Sequence, residues 1–271
     1  MTDSSRDAHP PADWPTDVTH DRLIGDVSIY QRKGGHRTGT DDVLTAYYAT
    51  HRRPGACPSY LDLGCGIGSV LLMVAHRLRP AECVGVEAQS ESFTLASRAV
   101  AELPEGFPRV RLVHADFRGL DLGRRFAVVT GSPPYFPTHA GVLPQDPQRL
   151  ACRFEVRGGV EAYCLAAARH LEPEGRFFVV HQTVHEPRVL TAAAGAGLHL
   201  RSCLDARMRT DRAAPFLTVY EFGLAAVGAQ GVLSPSDACP ARAGLSIRGA
   251  DGAFTKAYTA ARRELGVDAA P

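Results

Sequence analysis

At 271 residues, with 45% hydrophobic and 22% charged residues, the chain has the length and composition of a globular protein with a sizeable core. No apolar run approaches the ~20 residues that span a bilayer, and a net charge of +1 gives no bulk support for a polyanionic partner. Seven cysteines, an odd number without a CxxC pair, argue against a zinc site or a disulfide framework and for a reducing, cytoplasmic setting.

The first segment, residues 1–20, is acidic and proline-rich and has no apolar centre, so a disordered leader is expected there rather than a signal peptide. A single domain is expected over 21–265, followed by a flexible tail, 266–271. TDDVLTAYYATH (40–51) reads as a helix, with Thr40 as N-cap and Asp41 and Asp42 in the first turn, where the helix dipole favours acids. SYLDL (59–63) is a buried strand, GSVLLMVAHRL (68–78) a helix, and ECVGVE (82–87) a strand. SESFTLASRAVAEL (90–103) is a helix, followed by strands VRLVHAD (110–116) and FAVVT (126–130). Residues 137–157 form a polar loop too long for a simple connector, hence a functional candidate. VEAYCLAAARHL (160–171) is a helix, RFFVVH (176–181) a strand, and a further helix lies near 186–195. Strands near 198–206 and 215–223, separated by an arginine-rich turn, read as an antiparallel pair closing one edge. LSIRG (245–249) can add a strand, and AFTKAYTAARREL (253–265) reads as a helix. Strands alternating with helices predict an α/β fold, a doubly wound, Rossmann-like sheet that is mostly parallel.

The chemistry gathers at strand ends, where such sheets bind ligands. LDLGCGIGS places Gly64, Gly66 and Gly68 between a strand and a helix, so the backbone can approach a ligand without Cβ clashes. Asp62 stands two residues before the first glycine. Glu87 ends the next strand, where a carboxylate can accept both hydroxyls of a ribose. Asp116 ends the third, in reach of an adenine amine, and SPPY (Ser132, Pro133, Pro134, Tyr135) follows the fourth. Basic clusters at 31–37 and 201–212 fit a phosphate surface or an ordinary solvated one equally well. His181 and His185 have a metal-like spacing, but Pro187 follows closely, so a structural role is expected and no metal.

DLGCGIG, Glu87, Asp116 and SPPY together resemble class I S-adenosylmethionine-dependent methyltransferases that act on amino nitrogens. YQRKGGHRTGTDDVLTAYYA (30–49), GSPPYF (131–136) and IRGADGAFTKAYTAARREL (247–265) are similar to the bacterial tRNA (adenine-N6)-methyltransferases that modify an adenosine beside the anticodon of a valine tRNA. The resemblance implies a methyltransferase sheet and S-adenosylmethionine as cofactor. It puts the methionine part in the loop Gly64, Cys65, Gly66 and Gly68, steered by Asp62. Glu87 with Ala88 would take the ribose, and Asp116 with Phe117 the adenine. Thr40 and Asp41, with Gln31 and Arg37 nearby, would close over the methionine end, and Ser132 would border both cofactor and substrate. The implied partner is RNA, the anticodon loop of a tRNA, with no membrane and no metal. Phe136, Arg149, Arg153 and Arg209 are candidates for contacting it.

SPPY suits this chemistry for a physical reason. A conjugated amine is a poor nucleophile, because attack on a methyl group makes its nitrogen tetrahedral and positive. Two oxygen acceptors at its N–H bonds, here the Ser132 hydroxyl and the Pro133 carbonyl, favour that geometry. Adenine-modifying relatives carry asparagine where this chain has Ser132, and serine is more usual in cytosine-N4 enzymes. Adenine N6, cytosine N4, a protein glutamine amide and a small-molecule amine therefore all stay open as targets, as does a non-catalytic RNA-binding relative.

Overall fold

A computed structural model describes residues 14–53, 57–225 and 241–267. The chain opens with a hairpin, β1 (Val18–Ile24) and β2 (Val27–Arg32), which the sequence reading leaves unassigned. Its apolar residues Leu23, Ile24, Val27 and Ile29 are buried in the core. The turn is Gly25-Asp26, a two-residue hairpin signature, and Gly25 supplies its positive φ of 51°. The expected leader therefore ends sooner. Strand β1 starts at Val18, and the Trp14 ring meets Tyr30 edge-on at 5.3 Å. Residues 1–13 of that leader, and 268–271 of the expected tail, lie outside the described residues.

Next come α1 (Thr40–His51), β3 (Ser59–Leu63), α2 (Ser69–Leu78), β4 (Glu82–Glu87), α3 (Ser90–Ala101), β5 (Val110–His114) and β6 (Phe126–Gly131). The N-cap of α1 is Gly39 rather than Thr40, and the Asp42 carboxylate accepts from the Gly39 N–H at 3.0 Å. The long loop contains a short helix, α4 (Pro147–Arg153), capped by Asp146. Then follow α5 (Val160–His170), β7 (Leu171–Gln182), α6 (Glu186–Gly195), β8 (Leu198–Arg209), β9 (Leu217–Leu224), β10 (Arg242–Arg248) and α7 (Lys256–Leu265). Gly266 ends α7 at φ 92°, and Val267 packs on the core, so these two residues of the expected tail are folded.

The main sheet has the order β10-β8-β9-β7-β6-β3-β4-β5. Strand β9 runs antiparallel to both β7 and β8, while the other neighbours pair in parallel. The antiparallel pair thus exists, but it does not form the edge. β10 lies outside β8 and parallel to it. The expected arginine-rich turn is also shorter, since β8 runs on to Arg209.

Two apolar layers sandwich this sheet. Along β7, Phe178 and Val180 face the layer of α1, α2 and the hairpin, while Phe177 and Val179 face that of α5 and α6. Val128 and Val129 of β6 split in the same way. This period of two buries both strand faces, which explains continuous apolar runs such as FAVV. Because only β9 is reversed, the carboxyl ends of β3, β4, β5, β6 and β7 lie along one rim, and the cleft opens there.

Candidate active site

The loop after β3 holds Gly64, Gly66 and Gly68 at φ 62°, 56° and 92°, a left-handed region that side chains rarely adopt. A Cβ on Gly66 would have no atom within 4 Å, so this backbone lies open to the cleft. Glu87, at the end of β4, fastens the loop from beside it. One carboxylate oxygen accepts from the Gly66 N–H at 2.8 Å and the other from the Gln89 N–H at 2.6 Å. Burial pushes the Glu87 carboxyl up, against those bonds.

Asp62 is buried at the base, its Oδ1 accepting from the Thr130 hydroxyl at 2.6 Å. Burial pushes its carboxyl up to about 7. Asp42 is pushed well above the carboxylate range, first by burial and then by neighbouring Asp41. Asp116 behaves oppositely, because Arg118 bonds it through its backbone N–H at 3.0 Å and its guanidinium at 2.6 Å and holds it low.

The serine–proline turn closes the other wall. Ser132 Oγ is buried and has no hydrogen-bond partner among the described residues. The Tyr135 hydroxyl donates to Asp41 Oδ2 at 3.0 Å, and its ring meets His181 edge-on at 5.4 Å. Burial, then Asp41, pushes the Tyr135 phenol well above 10, so it stays neutral. Burial takes His181 down to about 4, so an uncharged imidazole backs the turn near neutral pH.

The cleft brings together Asp41, Asp62, Gly64, Cys65, Gly66, Glu87, Ala88, Asp116, Phe117, Ser132, Pro133, Pro134 and Tyr135 of the residues expected from sequence. Gln31, Arg37 and Thr40 do not line it. Gln31 spans Asp21 and the Thr38 N–H, and Arg37 pairs with Asp21 at 3.1 Å, so both brace the hairpin against the approach to α1. Gly68 stands behind the loop as the N-cap of α2. Phe136 lies outside too, bridged to Phe154 with the Arg153 guanidinium 6.0 Å from its ring. The Arg149 side chain is exposed on α4, and Arg209 is held by Asp211 and the Ala250 carbonyl. Sequence reading missed Asp42, His36, Arg157 and Tyr163 as cleft residues. Arg157 was visible only as the last residue of the long polar loop, and Tyr163 only as a helix residue.

A family model described as a methyltransferase domain matches residues 61–140. The tRNA1(Val) (adenine(37)-N6)-methyltransferase of Escherichia coli O157:H7 is 30% identical over 227 residues, covering 83% of this chain and 85% of that one. The chain belongs to this family. A Bacteroides thetaiotaomicron relative of the same name is 31% identical over 168 residues, covering 62% of this chain and 68% of its own. In fold, the chain is similar to the crystal structure of a predicted O-methyltransferase from Agrobacterium tumefaciens, with a TM-score of 0.57 at 19% identity over 84% of this chain and 98% of that one.

The protein is thus an S-adenosylmethionine-dependent methyltransferase, and its cleft suits that cofactor. Five acidic side chains (Asp41, Asp42, Asp62, Glu87 and Asp116) line it against one arginine, Arg157, and a bound sulfonium and ammonium favour the ionised form of the buried ones. The open backbone at Gly66 leaves room for close approach. Among the described residues no His, Cys, Asp and Glu group is arranged to hold a metal ion, and no helix is long and apolar enough to cross a membrane.

Proposed function

We propose that this methyltransferase modifies the N6 amine of an adenosine in a single-stranded RNA loop, a tRNA anticodon loop as in the named relatives, in the cytoplasm. The observation that carries the reading is the unpartnered, buried Ser132 hydroxyl, set in a rigid Pro-Pro turn beside the Tyr135 ring. When bound, S-adenosylmethionine supplies an electrophilic methyl group on its sulfonium. Asp62 and the glycine loop hold the methionine part, and Glu87 the ribose. Ser132 Oγ and the Pro133 carbonyl accept from the two N–H bonds of the target amine, holding its lone pair free for attack and stabilising the positive charge that develops. Tyr135 offers its ring for stacking, worth about 1–3 kcal/mol per base. A loop base is already unpaired, which lowers the cost of drawing it into the cleft.

Ser132 in place of the family's asparagine keeps cytosine N4 as the second reading, because serine at this place is more usual in enzymes that methylate that amine. Single-turnover methylation of synthetic loops carrying adenine or cytosine at the target position separates the two. On adenine loops, Ser132→Ala is expected to slow transfer roughly 100-fold or more, the usual cost of losing one preorganised polar contact to developing charge. Ser132→Asn should keep or raise the rate. Activity confined to cytosine loops and abolished by asparagine replaces the adenine assignment with the cytosine one.

A further inference from the structure

Beside the acidic cleft lies a second cavity of opposite character. Asp41 and Asp42 face the cleft, while Gly39 and Thr40, one step earlier in the same turn, face this second space. Its far side is built by the C-terminal segment, where Arg248, Phe254, Tyr258 and Arg262 meet Met208 of β8, with Arg22 contributed by the hairpin. Three guanidinium side chains line it and no carboxylate does. Strand β10 pairs in parallel with β8, Arg248 opposite Arg209, so Arg248 ends its strand on the rim where the cleft opens. Phe254 is 45% exposed and Met208 42%, so the cavity presents apolar surface beside its guanidiniums. The Arg248 guanidinium lies 4.5 Å from the Phe254 ring centre and that of Arg262 5.2 Å.

Aromatic faces and guanidinium planes stack nucleobases, and guanidiniums attract phosphates. With five acidic side chains against one arginine, the cleft offers a phosphodiester backbone little to pair with, so a target base that enters it leaves its own phosphates outside. The strand then continues over a neighbouring surface, and the turn Gly39–Asp42 contributes residues to both the acidic cleft and the cationic cavity.

We propose that this second cavity binds the nucleotide flanking the methylated one in single-stranded RNA. Its base stacks against the Phe254–Arg248 pair and its phosphate faces the guanidiniums. This inference rests on the RNA reading above.

The test is steady-state methylation by the full chain of synthetic anticodon loops, alongside loops in which each nucleotide flanking the target is made abasic in turn. Phe254→Ala is expected to raise KM for RNA about tenfold, with kcat and cofactor affinity retained. One abasic position should raise the wild-type KM by a similar factor and leave the Phe254→Ala KM unchanged. Phe254→Trp keeps a stacking face and should restore the wild-type KM. Wild-type KM in Phe254→Ala, or additive effects of the variant and every abasic position, overturns the cavity assignment while wild-type methylation of RNA still stands. If Phe254→Ala does not fold, a wild-type KM unchanged by any single abasic position overturns it alone. A wild-type protein that modifies no RNA loop overturns the RNA reading itself, and the cavity assignment with it.

Discussion

Asp62 shows how a single side chain can couple cofactor binding to pH. It is fully enclosed beneath the glycine loop, where it accepts from the Thr130 hydroxyl, which in turn meets the Tyr60 phenol at 2.7 Å. With its carboxyl pushed up to about 7 by burial, it is largely protonated at pH 6 and largely ionised at pH 8. A bound cation favours the ionised form, so binding below pH 7 must release a proton. Affinity for S-adenosylmethionine is therefore expected to fall as pH drops from 8 to 6, and Asp62→Asn should flatten that slope while weakening binding at pH 8. Calorimetry at the two pH values checks this, and a slope that survives in Asp62→Asn assigns the proton elsewhere. Stability of the cofactor-free protein carries the opposite sign. The folded state keeps a proton that the unfolded chain loses near an ordinary aspartate value of about 3.9, so Asp62 lowers stability progressively from about pH 4 to about pH 7. The position of Asp62, Glu87 and Ser132 was legible because an α/β sheet places ligands at strand ends. Gln31, Arg37 and Thr40 stand outside the cleft, and polarity near a motif does not say which way a side chain turns; Gln31 and Arg37 brace the hairpin, and Thr40 lines the second cavity.

At the scale of elements, the glycine loop separates two costs that sequence cannot distinguish. Gly64 and Gly66 have nearly the same positive φ, 62° and 56°. A Cβ on Gly66 meets open space, so Gly66→Ala should cost about 1 kcal/mol of stability for the strained backbone alone. On Gly64 the same atom would stand 2.5 Å from the Tyr163 hydroxyl, which is buried against the loop. Gly64→Ala should therefore cost about 1–3 kcal/mol more, as an overpacked site does. Denaturant unfolding of the two variants measures the difference, and equal losses would mean that Tyr163 yields freely. Most strands and helices were legible because their apolar periodicity survives in the chain. The hairpin was not, although Gly25-Asp26 between alternating residues marks it, because its first three residues fell in the expected leader and its end was read for its basic charge. The place of β10 was not legible either. It pairs in parallel with β8 and contacts α7, long-range partners that LSIRG alone does not specify.

Across the whole molecule, a net charge of +1 averages two unlike surfaces, a cleft lined by five acidic side chains and one arginine and a cavity beside it lined by three arginines and no acid. Composition reports the average and neither surface. One arginine ties the parts around this division together. Arg32, at the end of β2, bonds Asp17 at 2.8 Å, Glu91 of α3 at 2.8 Å and Asp146, the N-cap of α4, at 2.7 Å. It is 18% exposed, and its three acids are 33%, 30% and 22% exposed. Exposed pairs contribute about 0.2–1 kcal/mol each, and breaking a buried pair costs about 3–5 kcal/mol. This half-buried hub falls between, so Arg32→Gln should lower stability by about 1–3 kcal/mol near pH 7, leaving three carboxylates facing one another. The sign with pH follows from Asp17, whose carboxyl is held below its usual range chiefly by Arg32. The contribution is present above the unfolded value near 3.9 and is lost as pH falls through the lower folded value. The gap between wild type and Arg32→Gln should thus be full at pH 7 and narrow below about pH 4. Thermal melts at the two pH values decide it. A gap that does not change with pH would show that Arg32 acts through the packing of its stem, and that the hairpin holds to α3 and α4 without its charge.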